Sequence, residues 1–452
     1  MENLDLLKRY GLFDAKVPRY TSYPPANHFQ NGIGGQNQHH WLATVPEGSD
    51  VSIYIHIPFC KRLCWFCACR TQGTKTLNPV EAYISTLINE IETVRKGLPD
   101  TIRMARLHLG GGTPTILTPD LMAQLLGAVF DEFHPSNDFE FSVEIDPTDA
   151  APKLLQTLAD FGLNRASIGV QDFEPVVQKA IGREQSFAQT KEVADWLRDA
   201  GVPSLNFDLL YGLPHQTEDT FNDTINHVLA LRPDRLAIYG YAHVPWMSKR
   251  QVMIKEHDLP NTIERLAFSK QVKTACLAAG YQAVGIDHFA LPNDSLAFAN
   301  ARGTLRRNFQ GYTDDTSSTL IGLGASAISR FHQGYIQNAV ATSAYQERIN
   351  GSGLAGNRGF ALAQQDYLVG DMIESLMCNF QLNLTYLFET YPDQQTQIET
   401  FIAGLLERFP DVLVRQDNMI KLMPKAYALI RIIAHDIDAF NSNLKASHSA
   451  AI

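Results

Sequence analysis

Between Val51 and about Asp287 the chain alternates short β-rich runs with helical segments, and this alternation narrows the possible folds more than any other feature. The β-rich runs are Val51–Ile57, Arg106–Leu109, Phe139–Ile145, Arg165–Val170, Ser204–Leu210, Arg235–Tyr241 and Ala283–Ile286. Helical patterning fills the gaps, as at Val80–Arg95, Asp120–Phe133, Pro152–Phe161, Ala188–Ala200 and Glu218–Ala230. Parallel strands need a crossover of a dozen or more residues, usually a helix, and strands that alternate with helices in this way build a parallel sheet. The expected class is α/β, with residues 51–341 forming a partial (β/α)6, TIM-like barrel.

The strands carry a second pattern. Tyr54 and His56 share one side of the first strand, and Val51, Ile53, Ile55 and Ile57 share the other. Glu140, Ser142 and Glu144 lie opposite Phe139, Phe141, Val143 and Ile145, while Asn206 and Asp208 lie opposite Leu205, Phe207 and Leu209. Side chains alternate across a strand with period two. Helices outside the barrel take the apolar set, which sends the polar set inward. A barrel filled only for stability is lined by branched apolar residues, so inward polar groups on several strands predict a cavity with a ligand. Cys60, Gly111, Glu144, Gln171, Asp208 and Ala242 fall at the C-terminal ends of successive strands, the rim at which such barrels build active sites.

The flanks read differently. Residues 1–50 form an irregular arm that carries Pro18-Arg-Tyr-Thr-Ser-Tyr-Pro-Pro25 and a Gly/Gln/Asn/His-rich loop over 31–40. Beyond about Thr342 the segments Gln364–Met377, Gln395–Arg408 and Lys425–Ile437 are amphipathic, and Val412–Leu422 resembles a hairpin around Asp417 and Asn418. Residues 342–452 are therefore expected to form a mostly helical, winged-helix-like domain that serves as a lid or packing unit. Such domains often bind DNA, but this one is not notably basic. The whole chain has a formal net charge of −10, which argues against nucleic acid or an anionic membrane as partner. No stretch approaches about 18 uninterrupted apolar residues, and Met1–Tyr10 lacks an apolar run. The expected location is the cytoplasm, as a monomer, where the six cysteines stay reduced and serve metals or catalysis rather than disulfides.

Four of those cysteines fall within ten residues, Cys60-Lys-Arg-Leu-Cys64-Trp-Phe-Cys67-Ala-Cys69. A structural zinc site usually pairs two Cys-x2–4-Cys units across a longer loop, or adds histidines. Three thiolates on one tight loop instead suit an iron–sulfur cube, and three-point ligation leaves one iron open to an outside ligand. Spacing alone does not say which cysteine stays out, and Cys69 remains open as a fourth ligand. Cys276 and Cys378 stand alone and read as small buried hydrophobes. Gly110-Gly-Gly-Thr-Pro-Thr115 follows a strand; its glycines let backbone groups approach a ligand, although a Gly triplet is also an ordinary strand-end turn. Glu144 can accept hydrogen bonds from ribose hydroxyls or form an internal ion pair.

The Cys-x3-Cys-x2-Cys spacing, with aromatic Phe66 before the third cysteine, resembles the radical S-adenosylmethionine superfamily. That resemblance implies a 4Fe–4S cluster on Cys60, Cys64 and Cys67, with Cys69 not a ligand. It further implies that S-adenosylmethionine binds the open iron, that its reductive cleavage releases a 5′-deoxyadenosyl radical, and that the glycine run meets the methionine amino group.

More of the chain is similar to one family. Pro18-Arg-Tyr-Thr-Ser-Tyr-Pro24, Tyr54-Ile-His-Ile-Pro-Phe-Cys60, Cys69, Gly169-Val-Gln-Asp-Phe173, Arg183-Glu-Gln185, Asp208-Leu-Leu-Tyr-Gly-Leu-Pro214 and Tyr241-Ala-His243 resemble the oxygen-independent coproporphyrinogen III oxidases. So do Asp287-His-Phe289, Arg307-Asn-Phe-Gln-Gly-Tyr312 and Leu323-Gly-Ala-Ser-Ala-Ile-Ser329. The similarity spans about residues 15 to 440. Pro25 stands where the family usually has Thr, and Ala68 where it usually has Gly.

The resemblance implies oxidative decarboxylation of two propionates of coproporphyrinogen III to the vinyl groups of protoporphyrinogen IX, with an electron donor and an electron acceptor as partners. It also implies two S-adenosylmethionine molecules. Tyr54, Gly111, Glu144 and Ile328 would contact the first, and Phe66, Gly112, Thr113, Gln171, Arg183, Asp208 and Ala242 the second. Tyr54, His56, Cys69 and Arg19 are the candidate catalytic residues, with His56 beside the cluster or substrate. Arg19 and either Arg306 or Arg307 are candidates for the substrate carboxylates, and Pro18–Pro25 for a lid. The rival expectations are a haem-binding chaperone or a haem-modifying enzyme of the same superfamily, and a zinc-stabilised scaffold.

Overall fold

Burial alternates with period two along Arg165–Gln171 and Ser204–Tyr211, where the apolar side chains are buried and the side chains between them are half-buried on the other face. The computed structural model describes residues 4–440 and Ala451. Six strands run parallel in chain order: β1 (Asp50–Ile57), β2 (Arg103–Gly111), β3 (Pro135–Ile145), β4 (Arg165–Gln171), β5 (Ser204–Tyr211) and β6 (Arg235–Gly240). Helices α1 (Asn78–Lys96), α2 (Pro119–Glu132), α3 (Pro152–Asp160), α4 (Phe187–Asp199) and α5 (Glu218–Ala230) link them, and α6 (Thr262–Ala278) follows β6. Their starts are written locally. Proline occupies the first turn of α1, α2 and α3, where its missing N–H is no loss, and the side chains of Ser186 and Thr217 cap α4 and α5.

The arc does not close. On one side β7 (Gln282–Val284) and β8 (His288–Ala290) form an antiparallel edge on β6. On the other, β9 (Thr319–Leu323) pairs parallel with β1. It continues antiparallel through β10 (Ile328–Phe331), β11 (Gly334–Asn338) and β12 (Gly356–Ala361). The result is one open sheet of twelve strands, which reaches Ala361, past the residue 341 at which the sequence reading divides the chain.

The apolar faces of the strands pack under the helices in one large core. A second core belongs to the C-terminal unit, in which α7 (Gln364–Asn379), α8 (Leu384–Thr390), α9 (Gln395–Arg408) and α10 (Ile430–Asp436) surround a three-stranded sheet. That sheet is made of β13 (Gln381–Asn383), β14 (Leu413–Gln416) and β15 (Met419–Leu422), with β15 in the middle. The order helix, strand, two helices, hairpin and helix is the winged-helix-like arrangement expected. The arm is not a free strap: Leu6, Leu7, Leu12, Val17, Tyr20 and Tyr23 are buried in this second core. No helix among the described residues is long and apolar enough to cross a membrane.

Candidate active site

The inward faces of the strands surround a cavity of about 550 Å³. Tyr54 and His56 from β1, His108 and Gly111 from β2, Ser142 and Glu144 from β3, Ser167 from β4, and Asn206 and Asp208 from β5 all line it. Apart from Gly111, whose positive φ takes it out of the regular pleat, these are alternate residues along each strand, as period two requires. Ion pairs knit its floor: Arg165 meets Glu140 at 2.6 Å and Arg235 meets Asp294 at 2.5 Å.

The protonation states follow from the contacts. His56 Nε2 lies 3.1 Å from the Arg70 carbonyl, which only accepts, so Nε2 carries the proton and Nδ1 accepts from Tyr54 Oη at 2.9 Å. Burial holds the imidazole below its ordinary pKa, so it is neutral, and lifts the Tyr54 phenol well above its own. Burial alone would raise the Glu144 carboxyl. The His108 ring and the Gly111 N–H at 3.0 Å outweigh it and hold Glu144 below the usual value, as a carboxylate. Asp208 accepts from Ser167 Oγ at 2.7 Å and Asn206 Nδ2 at 2.8 Å, yet burial and the charge of Glu144 push its pKa up.

The glycine run fits this site and little else. A Cβ on Gly110 would lie 2.7 Å from Glu144 Oε1, and one on Gly112 would lie 2.6 Å from the Phe59 carbonyl. Gly111 has φ +106°, and a Cβ there would lie 2.3 Å from the His56 ring. The Gly112 and Thr113 N–H groups donate to the Ile57 and Phe59 carbonyls at 2.8 and 2.9 Å, which ties the run to the base of the cysteine loop.

That loop is closed by a short parallel pairing of Phe59–Cys60 with Gln72–Gly73. Neighbouring segments clamp its backbone: Trp65 N–H donates to the Ile181 carbonyl at 2.8 Å, Ser248 Oγ to the Cys67 carbonyl at 2.9 Å, and Gln251 Nε2 to the Phe66 carbonyl at 2.7 Å. Arg183 lies 3.7 Å from Cys64 Sγ. The Cys69 thiol lowers the Cys67 pKa most, aided by the Cys69 N–H at 3.4 Å and by Arg250 and Arg183. All four cysteines of the loop are free thiols. Among the described residues no three His, Cys, Asp or Glu side chains are grouped as a single metal ion requires. Three free thiols on one loop are the donor set that an iron–sulfur cube takes.

The cavity brings together Tyr54, His56, Cys69, Gly111, Glu144, Asp208 and Ile328. The other residues expected around the cofactors lie outside it. Arg183 pairs with Asp146 at 3.1 Å and donates to the Gly169 carbonyl at 2.9 Å, behind the cysteine loop. Gln171 sits at the end of β4 with φ +66°. Phe66 and Ala242 are joined through Gln251, whose Nε2 donates to both carbonyls. Thr113 is buried against Cys60. Arg19 donates to the Gly240 carbonyl at 2.8 Å, beyond the cavity wall. Arg306 is paired with Glu374 at 3.0 Å. Sequence reasoning missed His108, Tyr239 and His288, which also line the cavity. His108 and Tyr239 follow the inward parity of β2 and β6 and were legible from it.

Residues 54–228 match the family model of the radical SAM superfamily. The chain is 47% identical over 452 residues to the oxygen-independent coproporphyrinogen III oxidase of Paracoccus denitrificans, covering all of both proteins. It is 49% identical over 443 residues to the anaerobic coproporphyrinogen III oxidase 1 of Cereibacter sphaeroides, covering 98% of each. This chain belongs to the oxygen-independent coproporphyrinogen III oxidase family. Among solved structures, the coproporphyrinogen III oxidase HemN of Escherichia coli, described as a radical SAM enzyme, superposes with a TM-score of 0.90 at 35% identity, over 97% of this chain and 99% of that one. The family's fold therefore extends through the C-terminal unit and the arm as well as the barrel.

Proposed function

We propose that this oxidase converts two propionate side chains of coproporphyrinogen III to the vinyl groups of protoporphyrinogen IX without oxygen. A 4Fe–4S cluster on Cys60, Cys64 and Cys67, with two S-adenosylmethionine molecules, serves the reaction. The observation that carries this reading is a polar, strand-lined cavity that meets a clamped three-thiol loop at the barrel rim, in a chain whose relatives match it end to end. When bound, cluster and S-adenosylmethionine supply a hydrogen-abstracting radical, for which a one-electron donor is needed at the start and an electron acceptor at the end.

The chain's own residues do the remaining work. Glu144, held as a carboxylate, accepts hydrogen bonds from a ribose diol or an ammonium group. The glycine run presents backbone where side chains would clash. Tyr54 keeps its proton, and both ring nitrogens of His56 are engaged, Nδ1 by the Tyr54 hydroxyl and Nε2 by the Arg70 carbonyl, so the pair orients what lies above it. Cys69 lines the cavity beside the cluster cysteines. The sheet floor and the helices exclude water from the reacting centre. No specific observation favours the haem-binding or haem-modifying readings.

The test is an anaerobic assay of reconstituted protein with coproporphyrinogen III and S-adenosylmethionine, reading 5′-deoxyadenosine and protoporphyrinogen together. Both are expected. Product without 5′-deoxyadenosine would exclude the radical route, and neither product would exclude the substrate.

A further inference from the structure

The segment between β6 and α6 carries apolar side chains that the fold does not bury. Trp246, Met247, Val252 and Met253 are 52%, 63%, 56% and 53% exposed. Twelve large apolar side chains stand exposed among the described residues, and these four fall within eight consecutive positions. Single apolar residues scattered over a surface are ordinary, whereas a group of them marks a contact, and Trp and Met are enriched at such contacts. The segment is not loose. Its other side is buried, with Ile254 packed in a cluster with Val177, Ile181 and Tyr241. Gln251 is fully buried, and its Oε1 accepts from the Val244 N–H at 2.5 Å.

That buried side is the clamp on the cysteine loop. Ser248 Oγ donates to the Cys67 carbonyl at 2.9 Å, Gln251 Nε2 to the Phe66 carbonyl at 2.7 Å, and Arg250 Nη2 to the Thr71 carbonyl at 2.5 Å. Ala68, Cys69 and Arg70, which lie between those positions in the chain, line the large cavity, and no residue of 244–255 does. The loop thus has the cavity on one side and this segment on another. A body seated on the exposed side chains would reach the loop of the proposed cluster ligands without entering the cavity.

Charge narrows the partner. From Gly240 to Lys255 there is no Asp or Glu, while Lys249, Arg250 and Lys255 make the segment basic in a chain whose formal total is −10. Lys249 and Lys255 are exposed and have no ion-pair partner among the described residues. A local field opposite in sign to that of the whole molecule steers an acidic partner to this spot and away from the rest of the surface. The patch is small, and electron-transfer encounters are the class of protein contact that buries least area. We propose that residues 244–255 are the docking surface for the one-electron donor of this oxidase, a small acidic carrier protein that seats its redox group against Trp246 and Met247. The carrier is oxidised by one electron and the cluster reduced by one, with no bond made or broken in that step. This rests on the cluster reading above.

The test uses reconstituted holoenzyme with a flavodoxin, a small acidic FMN carrier, and with dithionite as a chemical reductant in a parallel arm. Two quantities are read: the affinity for oxidised flavodoxin by titration calorimetry, and the initial rate of 5′-deoxyadenosine formation with each reductant. The double variants Trp246→Ser/Met247→Ser and Lys249→Glu/Lys255→Glu are each expected to weaken flavodoxin binding at least tenfold and to slow the flavodoxin-driven rate as much. The dithionite-driven rate and the thermal midpoint are expected to stay at wild-type values, and wild-type affinity to fall as salt is raised. Should the Trp246/Met247 variant melt early, the lysine pair carries the comparison. Lys96→Glu, at the end of α1 that leads into β2 and so at the opposite end of the barrel, is expected to bind as wild type does. Equal binding and rates in wild type and both double variants, an equal loss in Lys96→Glu, or no flavodoxin binding by wild type would each overturn the docking site and leave the cluster reading standing. Wild-type self-association that Trp246→Ser/Met247→Ser abolishes would give the patch to a second copy of the chain and overturn it too. No 5′-deoxyadenosine from wild type with dithionite would overturn the cluster reading itself.

Discussion

At the scale of single residues, the cysteine loop separates two roles that lie side by side in the sequence. Cys60, Cys64 and Cys67 are the proposed cluster ligands, and Cys69 shares the cavity with Tyr54 and Glu144. Replacing any of the first three by Ser should abolish the iron–sulfur absorbance of reconstituted protein, whereas Cys69→Ser should retain the absorbance and lose turnover. Gly111 is constrained twice, by φ +106° and by the His56 ring. Left-handed backbone away from glycine costs on the order of 1–3 kcal/mol, and the ring contact adds to it. Gly111→Ala should therefore lower the thermal midpoint of the apo protein and weaken S-adenosylmethionine binding together; a variant that binds it normally would show that the run only turns the chain.

At the scale of elements, one buried carboxylate couples α1 to the outer strands. Glu90 accepts from the Gly324 N–H at 2.7 Å, Asn338 Nδ2 at 2.7 Å and Tyr345 Oη at 2.7 Å, and burial nevertheless raises its pKa to about 7. The folded state thus binds this proton more tightly than the unfolded chain, so stability falls as pH rises between about 4.5 and 7 and is level above that. At about 1.4 kcal/mol per pKa unit this amounts to up to about 3 kcal/mol. Glu90→Gln lacks the titration, so the stability difference between wild type and variant, from urea unfolding at several pH values, should shrink by that amount across this window as pH rises.

The element level is also where the sequence was most readable. The alternation of Phe139, Phe141 and Val143 with Glu140, Ser142 and Glu144 fixed both the strand and its inward face, because period two leaves no other choice. The strands after Thr319 escaped it because they are short and mostly antiparallel, and the first three are joined by tight turns, so no strand–helix alternation repeats there. Of the four arginines that line the smaller cleft between the barrel rim and the C-terminal unit, Arg19 and Arg307 were among the candidates read from the sequence, whereas Arg265 and Arg431 escaped for a different reason. Arg265 and Arg431 lie on helices far apart in sequence, and only the docking of the C-terminal unit brings them to Arg19 and Arg307.

At the scale of the whole molecule, the arm belongs to the far end of the chain. Leu7 and Leu12 are fully buried in the core that α7, α9 and α10 share, and Tyr20 Oη donates to Asp438 at 2.9 Å. Leu7→Ala should cost about 2–5 kcal/mol, and it should loosen α10 along with the arm, read as faster amide hydrogen exchange across 430–437 while the barrel strands stay protected. Exchange confined to the arm would mean that the two do not unfold together.

Because Arg19 and Arg431 close the same cleft, the molecule cannot finish that wall from one end. The barrel and its thiol loop are built from residues between the two, but the cleft has this wall only once Arg431 has docked on the carbonyls of Val17 and Pro18. Closing that wall therefore waits for the two flanks of the barrel to meet.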